Sequence, residues 1–217
     1  MQENRDYMRR TPDGFRWSAT VVLLVVNAVA FILQLSVLPH VIHESYLALS
    51  LEGLRRGYVW QLLTFQFLHA GWLHLILNCW ALYMFGRDVE WTLGKARFIT
   101  LYFSSGVVGG LFQEFVALIW PHYFGSAVVG ASAGIFGVVS AFAMLFPERP
   151  LMLLILFVIP LKMRAKYLLL INLLLTALGL SFPKSFFGGN VAHAAHLGGI
   201  LTGLAFIRWR EAFQQSP

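Results

Sequence analysis

The sequence predicts an all-α polytopic membrane protein, a bundle of six transmembrane helices with a long interfacial first loop. Two observations support this fold class. Of the 217 residues, 58% are hydrophobic and only 12% are charged, whereas soluble domains carry about 25% charged residues. The apolar residues also fall into several runs of roughly 20 residues, the length at which a helix crosses a bilayer.

The apolar runs define the spans, and the polar stretches define the loops. An amphipathic, aromatic-rich first loop, 39–71, is expected to lie at the membrane interface. Segment 151–160 is apolar, but as a helix it would rise only about 15 Å, half the hydrocarbon thickness. We therefore expect it to be interfacial or re-entrant. The membrane domain is predicted over 17–210, with short cytoplasmic tails at 1–16 and 211–217. The predicted spans are 17–38, 72–86, 96–119, 126–146, 167–182 and 191–209.

The basic residues indicate how the spans are oriented. With the N-terminus inside, 13 of the 16 lysines and arginines lie on inner segments, and only Arg55, Arg56 and Lys184 lie outside. This is the positive-inside pattern, so topology explains the net charge of +6, and no nucleic-acid partner is expected. The short tails, without a transit peptide, indicate a bacterial inner membrane with both termini cytoplasmic. The lipid bilayer is the one partner that composition indicates, and the oligomeric state is left open.

Five polar side chains fall at one depth in this topology. The second, fourth and sixth spans all begin at the outer face. His74 and Asn78 lie early in the second span, Ser132 early in the fourth, and His193 and His196 early in the sixth. Polar residues inside a membrane are costly, and they indicate function. Their coincidence predicts a site that opens to the outer side, with Ser132 roughly 10 Å below the surface.

Ser132 lies in the stretch VGASAGIFG, 129–137, where small residues surround a hydroxyl. Taken alone, this pattern favours a helix-packing face with a serine bonded to its own helix. It also matches the G-x-S-x-G elbow of soluble hydrolases, but no strand pattern precedes it, and the acids that follow, Glu148 and Glu211, lie at the inner face. The soluble-hydrolase interpretation therefore fails, and the two interpretations that remain are a packing serine and a nucleophile within the membrane.

Partners for a nucleophile are present on the other two spans. His196 shares a helix face with Gly199, and glycines let a neighbouring helix approach closely. His74 and Asn78 are four residues apart, so they also share a face, and they could donate hydrogen bonds to an oxyanion. For each of these residues, a polar packing contact between helices is the simpler alternative.

Two other site chemistries compete with a Ser–His dyad. A zinc site would need a histidine cluster, but the sequence has no H-E-x-x-H motif, and no metal or other cofactor is expected. A catalytic triad would need a carboxylate beside His196, and Glu114, near the outer end of the third span, is the acid that spacing leaves open. The histidines available to a metal are His69, His74, His193 and His196.

The motifs resemble the rhomboid family of intramembrane serine proteases, and the resemblance extends over most of the chain. The family patterns are G-x-S-G, H-x-x-x-N and A-H-x-x-G-x-x-x-G, in which the serine and the histidine belong to different spans. This sequence departs from the family at Ala133, where glycine is usual, and at Gln61, where arginine is common after a tryptophan. The matching residues are Gly130 and Ser132, His74 and Asn78, and Ala195, His196, Gly199 and Gly203.

The resemblance implies a role for each matching residue. It makes Ser132 the nucleophile and His196 the general base and acid. It places His74, Asn78 and the Ser132 backbone N–H around the oxyanion. Phe136 stands where the family often has an aromatic ring stacked on the catalytic histidine. The supporting residues are Gly130, Phe136 and Gly199.

The activity implied by the resemblance is that of a serine endopeptidase. It would hydrolyse peptide bonds in or near the transmembrane segments of other membrane proteins, which would be its partners. The alternative is a non-catalytic rhomboid-like protein that binds membrane clients. Such members typically lack the serine or the histidine, and this chain has both Ser132 and His196.

Overall fold

A computed structural model describes residues 18–37, 44–155, 159–183 and 191–214. This part of the chain is built from long helices joined by short helical turns and one β-hairpin. The predicted tail at 1–16 and the last residues, 215–217, lie outside the described residues. The long helices are α1 (Ala19–Ser36), α2 (Trp72–Leu93), α3 (Lys95–Ile119), α4 (Ser132–Leu145), α5 (Ala165–Ser181) and α6 (His193–Gln214), and the hairpin strands are β1 (Pro150–Ile155) and β2 (Ile159–Arg164).

The helices confirm the predicted class, a mostly helical membrane protein. By length and composition, α1 and α3 are able to cross a membrane, and a third span results if Gln61–Phe67 and α2, bent by 97°, are taken together. Helices α4 and α5 are apolar but shorter, with 14 and 17 residues. The predicted number of six spans therefore stays a prediction.

Helix α4 lies at the centre of the fold. It packs against α2, α3, α5 and α6, and ten of its 14 residues are buried. A helix that is buried all round must be apolar all round, which explains why its sequence, SAGIFGVVSAFAML, lacks a polar face. The first residue of this central helix is Ser132.

The start of α4 corrects the prediction for the fourth span. The apolar run predicts the span from residue 126, but residues 126–131 are not helical, and Gly130 has a φ of +126°. A helical rise of 1.5 Å per residue therefore does not apply to 126–131, and the estimated depth of Ser132 loses its basis. A helix-packing face within 129–137 also cannot include Gly130, because Gly130 precedes the helix.

The apolar segment after α4 forms the β-hairpin. Strands β1 and β2 pair antiparallel, with Pro150 opposite Arg164, so the chain leaves and re-enters the bundle at one place. The hairpin adds no helical span, in keeping with the expectation of an interfacial or re-entrant segment, but the all-α prediction contains no strands. Pro150 and Pro160 flank the segment, and prolines interrupt helices, so strand pairing rather than a strand-rich composition accounts for the hairpin.

Ion pairs at the base of the hairpin join its two ends. The Glu148 carboxylate accepts hydrogen bonds from Lys166 Nζ at 2.5 Å and from Arg164 Nη1 at 2.6 Å. The hydrogen bond from Lys166 lowers the pKa of Glu148. These groups are exposed to solvent, and exposed pairs contribute little to stability, so we assign them to orienting the hairpin.

Glu90 connects the end of α2 to the beginning of α1. Its carboxylate accepts hydrogen bonds from Ala19 N at 2.6 Å and from Thr20 N and Oγ1 at 2.8 and 2.7 Å. The first N–H groups of a helix have no partner within the helix, and a carboxylate there also interacts favourably with the helix dipole. Glu90 thus caps α1 from a distance of 70 residues in sequence.

We predict that Glu90→Ala lowers the stability of the protein by about 2–4 kcal/mol, because it removes several charge-assisted hydrogen bonds at once. Glu90→Gln retains an acceptor and is expected to lose less. Thermal unfolding of the purified protein in detergent measures both effects. Equal midpoints for Glu90→Ala and the wild type would contradict this role for the carboxylate.

Candidate active site

The first loop holds the extended segment that leads into Ser132. Leu49 and Val128 form an antiparallel bridge, with N···O distances of 3.1 and 2.8 Å. Two residues later, Gly130 N donates to the Phe65 carbonyl at 2.8 Å. These backbone bonds fix the approach to Ser132, whose half-buried side chain then stands at the first position of α4.

Gly130 is required by its conformation and by its neighbour. Its φ of +126° is one that residues with a side chain rarely adopt. A Cβ atom at this position would also lie 2.7 Å from His74 Cε1. The missing side chain therefore lets the imidazole of His74 pack directly against the backbone beside Ser132.

Ser132 and His196 are in hydrogen-bond contact. The distance between Ser132 Oγ and His196 Nε2 is 2.8 Å, although the residues are 64 positions apart in sequence. His196 is buried in the first turn of α6. An alcohol at this distance from an imidazole nitrogen can transfer its proton to that nitrogen.

Close packing of α4 on α6 makes this contact possible. Gly199 lies against the carbonyl oxygen of Ala133, and Gly203 lies against the carbonyl oxygen of Gly137. A Cβ atom on either α6 glycine would overlap the α4 backbone. The two helix axes can approach this closely only because both positions are glycine.

The ring of Phe136 lies on the ring of His196. The ring centroids are 4.2 Å apart and the planes differ by 18°, which is a stacked arrangement. Phe136 is one turn after Ser132 on α4, so the same helix carries the hydroxyl and the surface on which the imidazole rests. Stacking restricts rotation of the imidazole and keeps Nε2 directed at the hydroxyl.

Asn78 presents an amide donor to the same site. Its Nδ2 is buried and has no hydrogen-bond partner among the described residues. The Nδ2 atom would lie 3.8 Å from a Cβ placed on Gly130, close to the start of α4. A buried donor without an acceptor is costly, so this amide is suited to an acceptor that arrives with a ligand.

His74 contributes a second donor near Gly130. Its Nδ1 accepts a hydrogen bond from Ala70 N at 3.4 Å. The neutral ring then carries its hydrogen on Nε2, the nitrogen that would lie 2.8 Å from a Cβ on Gly130. The structure thus brings together His74, Asn78, Ser132 and His196, which come from α2, α4 and α6.

His69, His193 and Glu114 lie outside this constellation. His69 is buried in the first loop, and its ring centroid is 5.2 Å from that of His74. His193 lies beside Gly179 of α5. Glu114 is buried, and its Oε1 has no hydrogen-bond partner in the described part of the chain. Within that part, no group of three or more His, Cys, Asp or Glu side chains is arranged to hold a metal ion.

The two departures from the family pattern, Gln61 and Ala133, are both buried and packed in the structure. Gln61 is fully buried, and its Nε2 donates to Ser45 O at 2.8 Å while its Oε1 accepts from Ser50 N at 3.2 Å. It joins two parts of the first loop, which an uncharged amide can do. The Ala133 methyl group is buried against Gly109 of α3, so it packs between helices.

Sequence reasoning did not identify the loop residues that fix the approach to Ser132, because backbone bonds leave no motif.

A polytopic membrane protein with a serine and a histidine in contact on neighbouring helices is the class defined by this fold and site. A family model described as the rhomboid domain matches residues 56–210. The chain belongs to the rhomboid family.

Relatives of the chain include proteins from bacteria, mitochondria and plants. It is 32% identical over 152 residues to the putative rhomboid protease YdcA of Bacillus subtilis, which covers 70% of this chain and 67% of that protein. It is 33% identical over 144 residues to the mitochondrial rhomboid protein 1 of Saccharomyces cerevisiae, covering 64% of this chain but only 38% of the yeast protein. It is 31% identical over 83 residues to the inactive RHOMBOID-like protein 8 of Arabidopsis thaliana, covering 38% and 22%.

Proposed function

We propose that the protein is an intramembrane serine endopeptidase that hydrolyses peptide bonds in or near the transmembrane segments of other membrane proteins. The observation that carries this proposal is the 2.8 Å contact between Ser132 Oγ and His196 Nε2. Two further observations support the proposal. Phe136 stacks on the ring of His196 and orients it, and Asn78 Nδ2 has no acceptor among the described residues. Acyl transfer requires an oriented base and a hydrogen-bond donor for the oxyanion.

The proposed reaction begins with attack on a peptide carbonyl. Ser132 Oγ bonds to the carbonyl carbon while its proton passes to His196 Nε2. The negative charge that develops on the carbonyl oxygen receives hydrogen bonds from Asn78 Nδ2, His74 Nε2–H and the Ser132 backbone N–H. His196 then gives the proton to the leaving amine, and the C–N bond breaks.

Hydrolysis of the acyl-enzyme completes the proposed cycle. A water molecule loses a proton to His196 and attacks the ester carbonyl, and the same donors stabilise the second oxyanion. The proton returns to Ser132 Oγ as the ester bond breaks. Water must therefore reach Ser132 at the start of α4. This requirement is why we propose a site that opens to the outer side of the membrane.

The substrates that fit this chemistry are membrane proteins with weak helices near the outer face. The carbonyls of a transmembrane helix are engaged in its own hydrogen bonds, so the scissile bond becomes reachable only where the helix unwinds. We assign the catalytic unit to 17–210. We propose a bacterial inner membrane with cytoplasmic termini, and the charge distribution supports this orientation.

A fluorophosphonate probe tests the proposal against the non-catalytic alternative. The probe bonds covalently to an activated serine, so it should label the purified wild-type protein, and mass spectrometry should locate the adduct on Ser132. Labelling and cleavage of a transmembrane substrate should both be insensitive to a metal chelator. Binding of membrane clients without labelling or cleavage would instead support the non-catalytic alternative.

We predict opposite effects on activity and stability for Asn78→Leu. The substitution removes a proposed oxyanion donor, so kcat should fall by about 10²–10³-fold with little change in KM. It also removes a buried donor that lacks a partner, so thermal stability should be unchanged or higher. Steady-state kinetics and thermal unfolding measure the two effects. A higher KM at unchanged kcat would assign Asn78 to substrate binding and contradict the prediction.

A further inference from the structure

The side chain of Gln34 on α1 holds the backbone of His69 in the loop before α2. Gln34 Nε2 donates to His69 O at 3.0 Å, and His69 N donates to Gln34 Oε1 at 2.9 Å. Two hydrogen bonds between one amide and one residue define both the position and the orientation of that backbone. Among the described residues, Gln34 is the α1 side chain that forms hydrogen bonds with the loop before His74.

The next residue, Ala70, transmits this position to His74. The Ala70 N–H is joined to the His69 carbonyl through one planar peptide unit, and it donates to His74 Nδ1 at 3.4 Å. That bond is near the upper limit for a hydrogen bond, so a shift of a few tenths of an ångström in the loop would break it. The hydrogen on His74 Nε2, toward Gly130, depends on the acceptor role of Nδ1.

The neighbouring ring of His69 gives His74 a packing contact but no hydrogen bond. The buried His69 ring stands edge-on to the His74 ring, with centroids 5.2 Å apart, and Phe31 of α1 stands edge-on to the His69 ring, with centroids 6.2 Å apart. Neither His69 ring nitrogen has a hydrogen-bond partner in the described residues. The Ala70 N–H is therefore the polar contact that can select between the two neutral forms of His74.

We propose that Gln34 is a positioning residue for His74. Through the His69–Ala70 peptide, it keeps the hydrogen of the neutral imidazole on Nε2, where an oxyanion would receive it. The inference rests on the proposed function for its effect on catalysis, but the selection of the tautomer does not depend on any activity.

The first test measures the tautomer by ¹⁵N NMR of labelled histidine in the full-length protein in detergent micelles. In the wild type, His74 should show a protonated Nε2 and an unprotonated Nδ1. In Gln34→Leu, the two tautomers should mix, and the signals should move toward their average. An unchanged His74 spectrum in a folded Gln34→Leu protein would overturn the proposal.

The second test is a double-mutant cycle between Gln34→Leu and His74→Ala. Gln34→Leu alone should lower kcat by about tenfold at unchanged KM, less than the 10²–10³-fold expected for removing a donor altogether. In the His74→Ala background, Gln34→Leu should change kcat less than twofold, because its target is gone. The same loss in both backgrounds would show that Gln34 acts elsewhere, and would overturn the proposal.

Two further variants separate positioning from general damage to α1. Asn27→Leu replaces another buried polar residue of the same helix, and it should leave kcat and the His74 spectrum unchanged. Gln34→Glu retains an acceptor for His69 N–H, and it should fall between the wild type and Gln34→Leu, which keeps the test usable if the leucine variant does not fold. If no variant cleaves or reacts with the probe, the proposed function fails, and the NMR result still decides the inference.

Discussion

Replacing Ser132 by alanine is expected to abolish cleavage of a transmembrane substrate. The substitution removes the oxygen that would form the acyl-enzyme, and loss of a serine nucleophile costs roughly 10⁴ to 10⁶-fold in kcat. Ser132 is half-buried at the start of α4, and its hydroxyl is hydrogen-bonded to His196. The fold should therefore be retained, and the variant should still bind substrate.

Ser140→Ala is the matched control for this substitution. Ser140 is buried on the same helix, and its Oγ donates to the Phe136 carbonyl at 2.8 Å. It lies two turns from Ser132, so cleavage and probe labelling should stay near wild-type values. Undiminished cleavage by Ser132→Ala would refute the proposed mechanism, whereas a trapped complex of that variant with an uncut membrane protein would identify a substrate.

The second large effect is expected from a single methyl group on α6. In Gly199→Ala, the new Cβ would overlap the carbonyl oxygen of Ala133, so α6 must move away from α4. Displacing catalytic groups by about 1 Å costs on the order of 10²-fold in rate. We therefore expect kcat/KM for a transmembrane substrate to fall by about 100-fold, and fluorophosphonate labelling to slow in parallel.

Leu201→Ala provides the control on the same helix. Leu201 is 49% exposed on the outside of the bundle, so shortening it should leave the Ser132–His196 distance and the rate unchanged. Gly199→Ala also raises the intrinsic helix propensity of α6. A lower rate in this variant would therefore result from displacement of α6 and not from its unfolding. Wild-type rates in Gly199→Ala would show that the contact between α4 and α6 does not control the distance between the two catalytic candidates.

The helices were the part of the fold that sequence patterns predicted best. Long apolar runs and the prolines and glycines between them locate α1, α3 and α6 to within a few residues. Apolar runs alone predict neither the β-hairpin at 150–164 nor the start of α4, which they put six residues early. The hairpin depends on pairing between β1 and β2, and the approach to α4 depends on hydrogen bonds to distant backbone, as with Val128 to Leu49 and Gly130 to Phe65. Hydropathy does not register either kind of bond.

For the candidate site, sequence supplied the residue types and the tertiary structure supplied their geometry. Shared depth and helix periodicity indicate Ser132, His196, His74 and Asn78 as site residues, because a polar group inside a membrane is costly and therefore indicates function. Sequence patterns do not indicate the contacts of Gln34 on α1 or of Gln61 in the first loop, since each glutamine bonds to backbone that is distant in sequence. Their function as backbone clamps follows only from distances.

What the sequence by itself determined is the class and the family: a helical membrane protein of the rhomboid family, evident from hydropathy and from motifs that span most of the chain. What only the tertiary structure decided is that Ser132 and His196 lie 2.8 Å apart. That distance depends on backbone contacts between α4 and α6 at Gly199 and Gly203. Packing of this kind is possible because glycine has no side chain. The distance between Ser132 and His196 is therefore defined only once α4 and α6 have packed together.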